Sequence, residues 1–325
     1  MFCYNIWYDE NMEIVEMLRR ILADAGWSQE RLAQELGVPF VTVNRWINEK
    51  ARPRQGNIEA IRRLYLSISG GEALDEGALR ELEREALTCR LGVGELIEND
   101  ELLRRFTLYS TYHTDAIEGS TMTLADVEKI LDDRDKVLAN KTAREQLEAR
   151  NHRSALYFLL DELHDKGEDF VWTVDLILNI HLRLMNSIIS NAGQLRRHGV
   201  MILGSKAVLA EVDEISDKLE ELVWRLNVWA GDSSDWHRGD LFDWMAQTHA
   251  SFEQIHPFSD GNGRVGRLIL DVQALKEGLL PPLVMKERKK AYYKFLERAQ
   301  REGDYRPLRE FLIESIVTTK DVLEL

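Results

Sequence analysis

The stretch HPFSDGNGRVGR, residues 256–267, holds one imidazole, one carboxylate, one amide, three glycines and two guanidiniums. Pro257 prevents the preceding helix, LFDWMAQTHASFEQI, from continuing, and Arg264 begins a new helix with an apolar side. The glycines permit a tight turn between the two helices. Because the backbone N–H groups of such a turn at a helix N-terminus form an anion site, the pattern predicts phosphate binding.

The charged side chains of this stretch predict what happens to the phosphate. Arg264 and Arg267, three residues apart, share one helical face and can form forked contacts with phosphate oxygens. Asp260 lies where a carboxylate usually holds magnesium at the edge of a polyphosphate. His256 can serve as the general base for a hydroxyl nucleophile. These residue types together predict phosphoryl or nucleotidyl transfer from a magnesium nucleotide.

The bulk properties of the 325-residue chain fit a soluble globular protein of two or more domains, with 44% hydrophobic and 30% charged residues. No apolar run approaches the roughly 18 residues of a membrane span, and the N-terminus lacks the basic region of a signal peptide. Cys3 and Cys89 lack metal-site spacing and are expected to be reduced thiols in a cytoplasmic protein. The net charge of −14 argues against a nucleic-acid coat protein but allows a small DNA-binding module.

Helical periodicity runs through nearly the whole chain, so the predicted fold class is all-α. The best strand candidate is GVMILGSKAVL, residues 199–209, where two apolar runs flank Gly204 and Ser205 and indicate a short hairpin. The clearest shift in composition is SISGGEALDEG, residues 67–77, which is typical of a linker. A domain boundary is therefore expected there.

The segment SQERLAQELGVPFVTVNRWINEKARPR, residues 28–54, predicts two short helices joined by a tight turn. Ser28 can cap the first helix, and Gly37 stands at its C-terminal position. The segment resembles the lambda-repressor-like helix-turn-helix family, carries a local charge of about +2, and implies DNA binding as a dimer on a two-fold operator. The alternative is a helical hairpin used only for dimerisation or docking. Candidate DNA contacts, left outside by the inward apolar residues, are Thr42, Asn44 and Arg45.

Residues 256–267 also match every defined position of the signature HPF-x-[DE]-GN-[GK]-R-x-x-R, and the chain thus resembles the Fic family. The resemblance covers about residues 90–320. It includes GQLRRHGVMILGS, similar to the family's β-hairpin flap, and AYYKFLERAQREGDYRPLREFL, similar to its closing helices. It implies an all-α fold: a helix-turn-helix bundle plus a Fic helical core carrying a short β-hairpin flap. The expected domains are 1–66 (helix-turn-helix, DNA-binding), 67–89 (linker and helix) and 90–325 (Fic domain, with inhibitory and N-terminal helices at 90–140 and the catalytic core at 170–318).

The resemblance implies transfer of AMP from ATP to a Ser, Thr or Tyr hydroxyl of a target protein. It makes His256 the base that takes the hydroxyl proton and Asp260 the ligand of Mg²⁺. Gly263 favours AMP transfer, since the related Doc kinases carry Lys there and transfer the γ-phosphate. The expected ATP- and phosphate-binding residues are Asp260, Gly261, Asn262, Gly263, Arg264, Gly266 and Arg267.

Two further groups of residues follow from the same resemblance. Tyr292 and Tyr293 are expected to line the adenine pocket. Ile202, Leu203 and Gly204 on the flap are expected to align the target segment by strand addition. His249 and His181 are expected to have no catalytic role.

The stretch TDAIEGS, residues 114–120, predicts how the site is kept inactive. Glu118 falls in the last turn of a predicted helix, where the helix dipole disfavours a carboxylate, so a cationic partner is expected. The stretch resembles the family's inhibitory motif [ST]-x-x-x-E-[GN]. This implies that Glu118 pairs with Arg267, occupies the γ-phosphate position and inhibits the enzyme intramolecularly. The alternative is a surface glutamate before a C-terminal glycine cap.

Other functions stay open from the residues alone. The chain could be a helix-turn-helix transcription regulator that uses its Fic domain as an ATP sensor, although a sensor does not need His256. It could also remove AMP from modified targets, with Glu118 positioning water, or act in both directions. Transfer of UMP or phosphocholine and formation of a homodimer are equally undecided.

Overall fold

A computed structural model describes residues 14–69, 76–133, 135–202, 205–228 and 240–325. The described residues are mainly helical, with one isolated bridge between Arg90 and Leu279 outside the helices, and the predicted all-α class is confirmed. Among them, no helix is long and apolar enough to cross a membrane. The helices are α1 (Ile14–Ala25), α2 (Gln29–Glu35), α3 (Phe40–Ile47), α4 (Gln55–Ser69), α5 (Glu76–Thr88), α6 (Val93–Glu98), α7 (Asp100–Ile117), α8 (Leu124–Asp132), α9 (Ala143–Lys166), α10 (Val174–Leu184), α11 (Ile215–Val228), α12 (Asp240–Ile255), α13 (Asn262–Lys276), α14 (Lys289–Glu302) and α15 (Arg306–Leu323).

Helices α1 to α4 form a small bundle with its own hydrophobic core, to which Leu18, Trp46 and Tyr65 contribute buried side chains. Ser28 caps α2 by accepting a hydrogen bond from the Arg31 N–H, as the sequence predicts. Gly37 follows α2 with a φ of +64°, a conformation that favours glycine. The turn between α2 and α3 therefore has the geometry expected of a helix-turn-helix.

Helix α13 runs through the centre of the larger helical unit and is buried along almost its whole length. It packs against α7, α9, α10 and α12. Val265, Leu268 and Ile269 supply its apolar contacts, and the same helix also buries Arg264 and Arg267. Buried charges require partners. Charged side chains of the surrounding helices accordingly lie beside the first turns of α13.

The two helical units touch through α14. Helices α1 and α4 pack against α14, and Asp24 forms an ion pair with Lys294 at 3.0 Å. Helix α5 packs against α15 instead, where Glu83 pairs with Arg309 at 2.9 Å. Thus residues 76–88, assigned from sequence to a linker and helix, pack with the larger unit. Residues 70–75 lie outside the described residues.

The expected β-hairpin at 199–209 is not present among its described residues, 199–202 and 205–209. The Ser205 N–H donates to the Ile202 carbonyl at 3.1 Å, whereas the N–H groups of Lys206 and Ala207 donate to side-chain oxygens. The Lys206 N–H donates to the Glu297 carboxylate of α14 at 3.1 Å, so it is not available for strand pairing. Leu203 and Gly204, two of the expected target contacts, lie outside the described residues.

Candidate active site

The loop between α12 and α13 is held by the side chain of Asn262. Its amide donates to the Phe258 carbonyl and its oxygen accepts from the Phe258 N–H, both at 2.9 Å. Asn262 and Phe258 are both buried. Both ends of the amide are used inside the loop, so the donors left to Asn262 for a phosphate are its backbone N–H and the second N–H of its amide.

His181 of α10 stacks on the loop and hydrogen-bonds to it, a role that the sequence analysis did not assign. Its ring stacks on Phe258 with centroids 3.7 Å apart. Its Nδ1 accepts from the Gly193 N–H at 2.9 Å, so its Nε2 carries the proton and donates to the Asp260 carbonyl at 3.0 Å. Burial lowers the pKa of His181 to about 4, which keeps the ring neutral. The sequence feature that could have indicated this role is a histidine within the otherwise apolar run of α10.

His256 follows α12 in the left-handed region, with a φ of +48°, which is uncommon for a residue other than glycine. The Arg196 Nε donates to the His256 carbonyl at 2.8 Å and holds this backbone in place. The ring Nδ1 lies 3.3 Å from the Glu253 carbonyl, an acceptor, so Nδ1 carries the proton and Nε2 keeps its lone pair. Burial lowers the pKa of His256, so the ring is neutral and suited to accept a proton.

The three glycines of the motif each allow a close approach by a different neighbouring group. Gly261 has a φ of +85°, and a Cβ there would approach Met185 Sδ to 2.8 Å. A Cβ on Gly263 would lie 2.5 Å from a carboxylate oxygen of Glu118. Gly266 instead faces α12, where a Cβ would collide with Glu253. The position of Gly266 thus indicates close packing of two helices, and the phosphate contact expected from the sequence stays a prediction.

Arg267 is almost fully buried, with 6% of its surface exposed, and its partners come from α7. Its Nη2 pairs with Glu118 Oε1 at 2.5 Å, and its Nε donates to Thr114 Oγ1 at 2.6 Å. Nη1 has no hydrogen-bond partner among the described residues. Glu118 is the C-cap of α7, so the cationic partner expected for a carboxylate at that helix end is present.

Three other carboxyl groups lie buried around Arg267, and burial favours the protonated form of each. Burial raises the pKa of Asp115 to about 7, and raises those of Glu253 and Asp271 to about 8, although Arg267 acts in the opposite direction. Glu253 and Asp271 are therefore mostly protonated at pH 7. Consequently Glu118 is the principal anion that neutralises Arg267.

A second charged cluster surrounds Arg264, whose side chain is only 3% exposed. Its Nη1 pairs with Glu148 Oε1 of α9 at 3.1 Å, and its Nε has no hydrogen-bond partner among the described residues. Arg144 of α9 pairs with the same Glu148 oxygen at 3.1 Å and with Asp260 Oδ2 at 2.7 Å. Burial acts to raise the pKa of Asp260, but these arginines lower it overall. The sequence analysis missed both Arg144 and Glu148.

The residues present fit a nucleotide phosphate chain with a divalent cation. Arg264 and Arg267 each keep an unpartnered buried nitrogen beside the N-terminus of α13, where an anion is favoured. Asp260 is 42% exposed and offers one carboxylate, and magnesium is commonly held by one or two carboxylates plus substrate phosphates. No group of three or more His, Cys, Asp or Glu suited to a metal occurs in the described part of the chain. The other ligands of the cation would therefore be phosphate and water oxygens.

Of the two expected adenine-pocket residues, Tyr292 is fully buried and Tyr293 reaches the surface. The Tyr292 hydroxyl lies 2.7 Å from His249 Nε2, behind Arg267. Glu297, one turn further along α14, accepts from Ser205 Oγ at 3.1 Å and so ties the flap segment to the same helix. His249 is thus a core hydrogen-bond partner, and Glu297 is a contact of the flap segment that the sequence analysis missed.

The expected DNA contacts lie on or near the outer face of α3. Arg45 is exposed, whereas Thr42 and Asn44 are half-buried. The Asn44 side chain donates to Gln29 Oε1 of α2 at 3.0 Å, which fixes its direction. Val41 is 63% exposed beside them. This face can therefore offer a guanidinium, an oriented amide and a methyl-bearing surface to a DNA groove.

Two family models match the chain: the Fic/DOC family over residues 171–274 and a helix-turn-helix family over residues 18–65. Residues 171–274 form a Fic/DOC family domain. The match contains the whole of the loop and α12, together with most of α13, and the helix-turn-helix match covers α2 and α3 with most of α1 and α4. Both resemblances stated from the sequence are confirmed.

The curated relatives that the chain matches carry the name protein adenylyltransferase Fic. Those from Drosophila ananassae and Drosophila melanogaster are each 30% identical over 275 residues, which is 82% of this chain. The chain spans about half the length of these relatives, 51% and 52%.

Solved structures give the same fold. A C. elegans Fic-1 fragment has 24% identity and a TM-score of 0.60, covering 96% of this chain and 98% of that chain. A Fic family protein from Desulfovibrio desulfuricans G20 has 25% identity and a TM-score of 0.58, covering 76% of this chain and 72% of that chain. The similarity to the C. elegans fragment extends over nearly the whole of the chain.

Proposed function

We propose that this chain is a protein adenylyltransferase that transfers AMP from Mg²⁺–ATP to a hydroxyl of a target protein, and that Glu118 inhibits it. The observation that carries the proposal is the buried Arg267, whose charge at the N-terminus of α13 is neutralised by Glu118. The loop beside it presents a neutral imidazole with a free lone pair. A base and an anion site in this arrangement support attack by a hydroxyl on a phosphate.

His256 takes the proton from the target hydroxyl at Nε2 as the oxygen attacks the α-phosphorus. The new O–P bond forms while the bond to the β-phosphate oxygen breaks, and pyrophosphate leaves. Arg264 and Arg267 bind the leaving phosphates and stabilise the charge that grows on them. A magnesium ion at Asp260 would supply additional positive charge toward the same oxygens.

Inhibition follows from the position that the Glu118 carboxylate occupies. It takes up Arg267 Nη2 and lies against the Cα of Gly263, where a phosphate bound to Arg267 would otherwise contact the helix N-terminus. A phosphate in that place would also stand close to a carboxylate of like charge. ATP can then bind only with its terminal phosphate displaced, which misaligns the α-phosphorus for attack.

The experiment that tests the proposal incubates parent and Glu118→Gly protein with labelled ATP, magnesium and cell lysate. Transfer, including self-modification, is expected to increase by about tenfold to a hundredfold in the variant, and mass spectrometry should find an added AMP on a Ser, Thr or Tyr hydroxyl. Glu302→Gly is the matched control, since Glu302 also precedes a glycine at a helix end but lies on α14. Equal labelling of parent and Glu118→Gly would refute the inhibitory assignment, and an added UMP or phosphocholine would refute AMP transfer.

We also propose that the N-terminal bundle binds duplex DNA through α3. The exposed Arg45 and the oriented Asn44 support this, and a second copy on a two-fold operator would supply the specificity that one short helix lacks. Selection from a random duplex pool should enrich a sequence for the parent. Arg45→Ala should weaken binding to it by about 1–3 kcal/mol, whereas the exposed control Arg84→Ala should not. Absence of any enriched sequence would contradict DNA recognition.

A further inference from the structure

Arg144 forms an ion pair with the carboxylate of Asp260, the expected metal ligand. Its Nη2 lies 2.7 Å from Asp260 Oδ2, while Oδ1 accepts the Gly261 N–H at 2.7 Å. Glu148, four residues along α9, holds the Arg144 Nε at 3.1 Å and so directs the guanidinium at Asp260. Both oxygens of the carboxylate are therefore engaged.

Helix stability accounts for only part of the placement of Arg144, through its ion pair with Glu148 four residues further along α9. Arg144 lies in the first turn of α9, where the helix dipole disfavours a positive charge. The start of α9 is already secured by a capping box in which Thr142 and Glu145 exchange hydrogen bonds. The Arg144 side chain is 55% exposed. Its principal partners are the carboxylates of Glu148 and Asp260.

We propose that Arg144 is a positioning residue that competes with the divalent cation for Asp260, so that the metal enters only when the guanidinium leaves. The inference rests on the proposed function, because it concerns the magnesium ion of the transfer reaction. It adds a second contact that has to be broken, alongside the release of Arg267 from Glu118. All three charged groups of the motif, Asp260, Arg264 and Arg267, are thus paired with side chains from outside it.

The charges of the cluster favour replacement of Arg144 by the cation over binding of both to Asp260 at once. Arg144 and Arg264 balance Glu148 and Asp260, so the four side chains sum to zero. A cation bound at Oδ2 sits about 2.1 Å from that oxygen, the side on which Arg144 now donates. The guanidinium would then face a doubly charged ion at close range. Because Arg144 is half-exposed, it can move into water, whereas the buried Arg264 cannot.

The test is the affinity for Mn²⁺, used in place of Mg²⁺ and read from the electron paramagnetic resonance signal of the free ion. Full-length Glu118→Gly protein is held in excess over α,β-methylene-ATP, which cannot transfer AMP. Arg144→Ala in this background should bind Mn²⁺ about threefold to fivefold more tightly, the range expected from removing one half-exposed ion pair. Arg144→Lys keeps the positive charge but loses the two-pronged guanidinium, so its Mn²⁺ affinity should fall between those of Arg144 and Arg144→Ala.

Two comparisons assign the effect to Asp260. Lys166→Ala removes a cation paired with Glu162 at the far end of α9, and it should leave the Mn²⁺ affinity unchanged. Asp260→Asn should weaken Mn²⁺ binding and abolish the effect of Arg144→Ala, as a double-mutant cycle requires for residues that interact. Unchanged or weaker Mn²⁺ binding by Arg144→Ala, or a gain that persists in Asp260→Asn, would overturn the proposal. The uncleavable nucleotide keeps this result separate from any failure to observe AMP transfer.

Discussion

The loop that carries His256 and the charged groups beside it are held in different ways. Apart from the Arg196 guanidinium on the His256 carbonyl, the loop is fixed by uncharged contacts: the paired hydrogen bonds of Asn262 and the ring of His181 stacked on Phe258. Asp260 and Arg267 are held by ion pairs with side chains from α9 and α7. The first set lies within the core, whereas the second can exchange its partners for ligands.

On the proposals above, the loop geometry is always present, whereas Asp260 and Arg267 become available to ligands only when their partner side chains leave. A neutral, buried network gains nothing from rearranging, because every broken bond leaves an unsatisfied group in the core. An ion pair with a partly exposed partner can be replaced by another ion at small cost, since water solvates the partner that leaves. We infer that the fixed loop provides the geometry that AMP transfer requires. The ion pairs then control at what times the charged groups are free to bind the nucleotide and its metal ion.

The largest effect is expected from the base. In the Glu118→Gly background, His256→Ala should lower AMP transfer by about 10²- to 10⁴-fold, because the hydroxyl loses its proton acceptor while the phosphate site stays open. The rate of labelling with ATP measures this. His198→Ala provides the control, since that side chain is exposed and its carbonyl, which Arg196 uses, is retained. Full activity of His256→Ala would show that His256 is not the general base.

An intermediate effect is expected on stability. Asn262→Ala should lower the free energy of unfolding by about 2–4 kcal/mol, because the Phe258 N–H and carbonyl become buried without partners. Chemical denaturation measures the change. Asn191→Ala, which removes a single side-chain bond to Ser259 on the same loop, should cost less than about 1 kcal/mol. Similar losses for the two variants would contradict the view that Asn262 fixes the loop.

Much of the site could be predicted because its residues lie close together in the chain. The spacing from His256 to Arg267 already places base, carboxylate and guanidiniums around one helix N-terminus. The pairing of Glu118 with Arg267, expected from the helix dipole and the resemblance, corresponds to an ion pair in the structure. Here one unfavourable charge indicated that a partner existed, although it did not indicate by itself which cation that partner was.

The parts that could not be predicted depend on contacts between distant helices. Nothing near Arg144 in the sequence indicates Asp260, since only its spacing to Glu148 is visible locally. The two apolar runs at 199–209 favoured a hairpin, but the Lys206 N–H donates to Glu297 of α14 instead. Gly266 has the spacing of a phosphate contact and yet meets α12. In each case tertiary packing determines which of several locally suitable partners is used.

The smallest effect is expected in the pH dependence of transfer. Burial lowers the pKa of His256, so the neutral ring persists below the ordinary value of 6.5 and loses its base function only when the pH falls through the lowered pKa. In the Glu118→Gly background, kcat/KM at saturating magnesium should therefore stay level from pH 8 down to about pH 6.5 and decline below it. A decline centred above pH 6.5 would show that the imidazole is stabilised in its charged form. The loop would then be subject to the same charge control as Asp260 and Arg267, and the distinction between fixed loop and exchangeable charges would fail.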